Sequence, residues 1–315
     1  MRVAVIGAGL MGHGIALVWA MGGHTVRLTD SSAESLARSQ GLMEKALGTL
    51  EAAGEAYGFT VAQLAQSVTR HATLAEAVDG AELVIEAIVE NPDAKRALFA
   101  QLAEHAPDSA TIASNTSYLD VFPLMPPTLL ARALIAHWYT PPYLVDLVDL
   151  VPSAECEPAR LAAVEAAIKA MGQVPVVMRR FIPGYIANRI QAAIQAEVQF
   201  LIDEGYADAQ MVDAAVVHGI ALRMPIVGVM AKADFTGLPL LQHTFRNKMY
   251  APPEPFESSP SMDKLIAEGA TGVMSGRGYY DWGGDPAALF EERDRRLIAL
   301  KKSLREIGSM AGFRE

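Results

Sequence analysis

His137 stands at the head of HWYTPPYLVDLVDLV, and Asp149 follows twelve residues later. An imidazole steadied by a carboxylate is a general base, able to take the proton of a hydroxyl group and return it. Pro141-Pro142 supplies a turn between the two, so an antiparallel return sets His137 and Asp149 opposite each other. Asp146 is three positions from Asp149 and points to the other face of a regular strand, so only one of them serves the histidine. The bland alternative is a strand-end histidine satisfied by backbone, with Asp149 solvated.

The second chemical feature is Gly7, Gly9 and Gly12, a G-x-G-x-x-G directly after the strand-like RVAVI, with Leu10 and Met11 between the last two glycines. Before a helix-periodic segment, this pattern makes a tight turn and admits a pyrophosphate to the backbone. It also packs helix against strand, with the phosphates on the helix N-terminus. Asp30 ends the next strand, TVRLT, where a carboxylate accepts hydrogen bonds from ribose hydroxyls. Ser31 and Ser32 follow, with no arginine among them for a 2′-phosphate, so NAD is expected over NADP. The competing reading is a glycine turn that binds FAD or nothing. With a base available, the pattern predicts alcohol–ketone interconversion, a nicotinamide taking the hydride.

Other candidates are weaker alone. Ser117 ends SNTS after the strand TIAS, at the carboxyl edge of the sheet where open α/β folds bind ligands; it is equally a turn or cap residue. Glu90 and Lys95 flank Asn91-Pro92, a helix start, and reach either cofactor ribose or solvent. Asn188 lies one turn into a helix, in PGYIANRI, and its case rests on its neighbours.

The elements that position these residues follow from periodicity. From residue 1 to about 180, RVAVI, TVRLT, ELVIE, TIAS, ARALIAH, YLVDLVDLV and QVPVVM alternate with Ala-rich helical segments. The pattern predicts an α/β fold, a Rossmann-type, mostly parallel sheet covered on both faces. Beyond Arg179-Arg180 only helical and loop signals remain, so two domains are expected: 1–182 binding NAD, and 183–315, all-helical, for substrate and dimerisation. The Ile-rich face of 184–203 predicts a homodimer through that second domain.

Composition narrows the class. The formal charge of −10 argues against a nucleic-acid partner. No uncharged apolar run reaches the ~18–20 residues of a spanning helix, so no membrane partner is expected. Cys156 is the sole cysteine, which excludes an intrachain disulfide and gives no hint of a cysteine-built metal site. RVAVI at 2–6 leaves no room for a secretory leader, and a reducing cytoplasm is the expected setting.

In order along the chain, GAGLMGHGIA, ELVIEAIVEN, SNTS, H-x₃-P followed by LVDLV, and PGYIANR resemble the 3-hydroxyacyl-CoA dehydrogenase family. PPY after the histidine and GIALRMP are more similar to its lambda-crystallin, or L-gulonate 3-dehydrogenase, branch. The resemblance implies that His137 is the acid/base, that Ser117 and Asn188 contact the substrate oxygen and the histidine, and that Glu90 and Lys95 sit at cofactor-contacting positions. It puts Asp149 where the family has a glutamate and Thr140 where it has an asparagine. Ala46 and Ala53 fall where acyl-CoA members carry a serine and a lysine for CoA, and Arg223 matches an arginine of the gulonate-type relatives. A planar guanidinium grips a carboxylate bidentately, so a free 3-hydroxy acid is expected as substrate, with a CoA thioester as the alternative. A dehydrogenase of the 6-phosphogluconate type would want a lysine on helix 184–203, which has none. A non-catalytic dinucleotide-binding protein is the remaining alternative.

Overall fold

The computed structural model describes residues 1–248, 251–254 and 256–310. They divide into two compact units, Met1–Ile186 and Ala187–Glu315.

The first unit is built on eight strands: β1 (Arg2–Ile6), β2 (Thr25–Thr29), β3 (Val68–His71), β4 (Leu83–Glu86), β5 (Thr111–Ser114), β6 (Ala133–Trp138), β7 (Leu147–Pro152) and β8 (Val174–Val177). They form one sheet in the order β3-β2-β1-β4-β5-β6-β7-β8, parallel except for the antiparallel pair β6–β7. The helices are α1 (Gly12–Met21), α2 (Ala33–Ala52), α3 (Val61–Ser67), α4 (Leu74–Val78), α5 (Pro92–His105), α6 (Pro127–Leu130) and α7 (Pro158–Ala170). The order reverses at β1/β4, so the carboxyl ends of those strands open a crevice where a dinucleotide sits.

Strand alternation divides the core. Ala4, Ile6, Val84, Ile112 and Ile135 face one way, onto Ala77 and Val78 of α4 and Leu98, Phe99 and Leu102 of α5. Helix α1, GHGIALVWAM, packs on β1 and β2 and is buried on almost every side, as its all-round hydrophobicity requires. Each fully buried Leu, Ile or Phe contributes roughly 1.5–3 kcal/mol, so the sheet is a rigid base for the loops at its carboxyl edge. Local chemistry sets the helix starts: Asn91 caps α5 through Asp93 and Ala94 N–H groups, with Pro92 at the first position, and Thr60 and Thr73 head full capping boxes.

Two strand expectations are corrected. β3 was not anticipated: VTRH is four residues long at the sheet edge, with two exposed side chains, so it lacks an apolar run. β7 begins at Leu147 rather than Tyr143, because Leu144 and Val145 N–H groups both bond back to the Pro141 carbonyl and spend residues 143–146 on the turn.

The second unit is helical: α8 (Ala187–Asp203), α9 (Ala209–Ala215), α10 (Met224–Val227), α11 (Met230–Thr236), α12 (Leu238–Asn247), α13 (Pro260–Ala267) and α14 (Pro286–Ile307), with isolated bridges joining Gly272, Arg277 and Asp281. A π-helical stretch, Val216–Ala221, follows α9 directly. By length and composition the run Ala209–Val227 is apolar enough to cross a membrane. It nevertheless carries Asp213, which accepts the Tyr280 hydroxyl, and Arg223. Buried Gln199 of α8 binds Ser261 and Tyr279, tying α8 to the α13 region.

Candidate active site

The glycine loop meets the demands of a pyrophosphate cradle. Gly7 has φ +104°, and a Cβ there would collide with the Ala87 carbonyl; one on Gly12 would collide with the Gly7 carbonyl. A Cβ on Gly9 meets nothing within 4 Å, so this glycine leaves open space beside the loop. Met11, at the N-cap of α1, makes no side-chain cap, and the first turn has no acidic residue, so the helix keeps its N–H donors and positive end for an anion. Leu10 is exposed on the same loop.

Asp30 holds this loop by accepting the Ala8 N–H at 2.7 Å on one oxygen and the Ser32 N–H at 2.7 Å on the other. A carboxylate has about four lone-pair sites, which leaves capacity for ribose hydroxyls. Beside it opens a cleft of about 740 Å³ lined by Asp30, Ser31, Leu36, Ala65, Val68 and Arg70. Arg70 comes from β3, far along the chain from the residues that follow Asp30. These residues suit the adenosine half of NAD.

Opposite, the proline turn and antiparallel return set His137 directly across from Asp149. Both side chains are buried, and His137 Nδ1 lies 3.5 Å from Asp149 Oδ2, beyond hydrogen-bond reach. The shorter carboxylate therefore faces the imidazole without touching it. Tyr139, two residues past His137, donates its hydroxyl to the same Oδ2 at 2.6 Å, and its ring meets the imidazole edge-on at 4.6 Å. Tyr185, fully buried with φ +49°, packs on the other side of the imidazole at 4.6 Å and donates its hydroxyl to the Thr116 carbonyl. Burial, then the charges of Glu90 and Asp149, push that phenol far above its ordinary range, so Tyr185 stays protonated.

The serine loop is anchored from below. Glu86, at the end of β4, is fully buried and binds Lys95 Nζ at 2.6 Å, the Ser114 hydroxyl and the Ile88 N–H. Lys95 also pairs with Glu90 at 3.1 Å. Glu90 accepts the Thr116 hydroxyl and Ser117 N–H, each at 2.7 Å, and the Tyr118 N–H at 3.1 Å. Burial raises the Glu90 carboxyl, but the Thr116 hydroxyl, the Lys95 ammonium and the two amides outweigh it and hold the group below the usual range. The resemblance gave Lys95 to the cofactor; in the structure its ammonium is committed to two carboxylates, and its side chain is 1% exposed. Ser117 is half-buried, and its hydroxyl has no partner among the described residues.

The cofactor and histidine loops also touch. Pro142 Cδ lies 2.9 Å from where a Cβ on Gly14 would sit, and the Thr140 hydroxyl is 3.0 Å from Met11 Sδ. Asn115 accepts the Trp138 N–H at 2.8 Å, fixing the end of β6 to the serine loop. Thus His137, Asp149, Ser117 and Glu90 are gathered at one edge of the first unit. Asn188, half-buried on the first turn of α8, and Arg223, exposed with Nε bonded to the Gly219 carbonyl at 3.0 Å, belong to the second.

Sequence reasoning missed Glu86, Tyr139, Tyr185 and Arg70. Tyr139 was findable: two residues from a strand-end histidine, it lies on the same face. Glu86 and Lys95 are nine residues apart across a strand-to-helix loop, and no local pattern marks that pairing.

Residues 2–181 match the 3-hydroxyacyl-CoA dehydrogenase NAD binding domain, and residues 184–282 match the C-terminal domain. A crystal structure of 5-formyl-3-hydroxy-2-methylpyridine 4-carboxylic acid 5-dehydrogenase, an NAD+-dependent dismutase, is similar with TM-score 0.85 at 26% identity, covering 96% of this chain and 98% of that one. L-carnitine dehydrogenase of Nocardiopsis dassonvillei is 31% identical, over 97% of this chain and 92% of its own. The lambda-crystallin homolog of Bos taurus is 35% identical over 72% of this chain and 71% of its own. The chain belongs to the 3-hydroxyacyl-CoA dehydrogenase family, whose members are NAD-dependent dehydrogenases acting on 3-hydroxy groups.

Proposed function

We propose that this enzyme interconverts a free 3-hydroxy acid and its 3-oxo form, with His137 as the acid/base. The observation that carries the reading is the buried register pair of His137 and Asp149, with Nδ1 turned to Oδ2. That leaves Nε2 to take the substrate proton, while the carboxylate stabilises the imidazolium that results. The nicotinamide supplies the hydride chemistry at the same carbon. Ser117, its N–H held by Glu90 and its hydroxyl open, binds the substrate oxygen, and Asn188 is the second candidate for that contact. Tyr185 covers one side of the imidazole and excludes water there.

The free acid is preferred on three grounds. Ala46 is buried on α2 and Ala53, its C-cap, is half-buried, so neither position offers a hydroxyl or cation to CoA phosphates. Two relatives are named for substrates without CoA, and both carnitine and the pyridine carboxylate bear a free carboxylate. Arg223 supplies a cation suited to that carboxylate. The test is a panel of free 3-hydroxy acids, carnitine included, against 3-hydroxyacyl-CoA thioesters, read by NADH absorbance in wild type and Arg223→Met. The reading expects kcat/KM higher for a free acid and lost in the variant. A thioester better by a wide margin, or no effect of Arg223→Met, replaces it with the acyl-CoA reading.

The second unit also supports a homodimer. Ile190, Val217, Ile220 and Leu222 are all exposed, more apolar surface than a lone helical domain readily leaves to water. A monomeric mass by light scattering at micromolar concentration contradicts this.

A further inference from the structure

We propose that Tyr139 is a positioning residue that makes a carboxylate one methylene too short serve the histidine. Asp149 is fully buried, yet its Oδ1 and His137 Nδ1 have no hydrogen-bond partner. An ionised carboxylate in such a place is costly unless a donor meets it. The Tyr139 phenol is that donor, at 2.6 Å on Oδ2, the same oxygen that faces Nδ1 at 3.5 Å. Because Tyr139 directly follows β6 and Asp149 lies within β7, paired with His137, the phenol locks the carboxylate in place. It also shares the charge, so the imidazole senses only part of it.

The consequence falls on the histidine. The groups facing His137 are Asp149 on β7, Tyr139 beyond β6, and Tyr185 before α8, with Glu90 and Glu86 lying behind Tyr185. Lys95 neutralises much of the latter pair, and the Tyr185 hydroxyl is occupied by the Thr116 carbonyl. Asp149 is therefore the uncompensated charge nearest the imidazole, and Tyr139 the donor that shares it. Removing the phenol gives the undivided carboxylate to the imidazole, which then holds its proton to higher pH. Strengthening the phenol as a donor does the opposite.

The inference uses the acid/base reading of His137 only for its catalytic consequence, and its test needs no substrate. The His137 imidazole is titrated by NMR in the whole protein, its resonance assigned by its loss in His137→Ala. Tyr139→Phe raises the titration midpoint by about one pH unit, the scale expected for one hydrogen bond to a charged group. Replacing Tyr139 with 3-fluorotyrosine, a stronger donor that preserves packing, lowers it. In Asp149→Glu, where the longer side chain reaches Nδ1 itself, adding Tyr139→Phe shifts the midpoint by less than a third of that amount. A midpoint unmoved in the Phe and fluorotyrosine proteins overturns the coupling. A full shift retained in the Asp149→Glu background overturns the compensation. Should the Phe protein fail to fold, the fluorotyrosine titration alone decides. Unimpaired turnover in His137→Ala beside shifted titrations would defeat the acid/base reading and leave the Tyr139 coupling standing.

Discussion

Replacing Lys95 with Met tests whether this side chain serves the cofactor or the scaffold. Met nearly matches the lysine stem in length but strips the ammonium from between Glu86 and Glu90, 2.6 and 3.1 Å away. Glu86 has no exposure, so its charge loses its counter-ion where water does not reach. Breaking one partner of a buried pair costs about 3–5 kcal/mol. For a unit of this size each kcal/mol lowers Tm by about 2–4 °C, so a fall of about 10 °C is expected by differential scanning fluorimetry. Adding Glu86→Gln removes the orphaned charge and recovers at least half of the loss. NADH affinity, measured by fluorescence below the new transition, stays within about threefold of wild type, because Glu90 retains its bonds to Thr116, Ser117 and Tyr118. A melting point within 2 °C of wild type together with a tenfold loss of NADH affinity would refute this, returning Lys95 to the cofactor.

Three further outcomes follow from single sites. Gly9→Ala leaves Tm nearly unchanged, since its Cβ meets no protein atom, yet weakens NADH binding at least tenfold by occupying pyrophosphate space; Gly12→Ala, which collides with the Gly7 carbonyl, lowers both. Equal NADH affinity in Gly9→Ala and wild type would count against the cradle. Asp30→Ser relaxes the preference for NAD over NADP without a second change, because Arg70 already lines the cleft beside it; an unaltered kcat/KM ratio for the two cofactors contradicts that. Glu90 has a lowered carboxyl pKa in the folded protein, so its contribution to stability is complete above the unfolded value of about 4.3 and is lost as pH falls through the lower folded value. The Tm gap between wild type and Glu90→Gln is accordingly constant from about pH 8 to 5 and shrinks below about pH 4, and a gap that persists undiminished to pH 3 rules this out.

Much of the first unit was legible because its signals are local. A strand feeding G-x-G-x-x-G, an acidic residue at the end of the next strand, and a proline turn between His137 and Asp149 each fix geometry within one loop or hairpin. β3 was not legible: an edge strand reading VTRH has neither alternation nor an apolar run, and with it Arg70 was lost from the cofactor cleft. The Glu86–Lys95–Glu90 cluster escaped for another reason. Charged residues at a helix start ordinarily face water, and only the packing of α5 into the core of the sheet turns Lys95 inward onto Glu86. Tyr139 was within reach of the same argument, since it lies two residues past His137, and what its spacing did not show is the Asp149 oxygen that it meets.

The account stands or falls on His137. With the best substrate of the panel, the decisive measurement is kcat of His137→Ala, taken beside its NADH dissociation constant. The imidazole acts on the substrate proton and not on the dinucleotide, so kcat falls by ~10²–10⁴ or more while NADH binding stays within about twofold. An unchanged kcat would contradict the proposed mechanism outright.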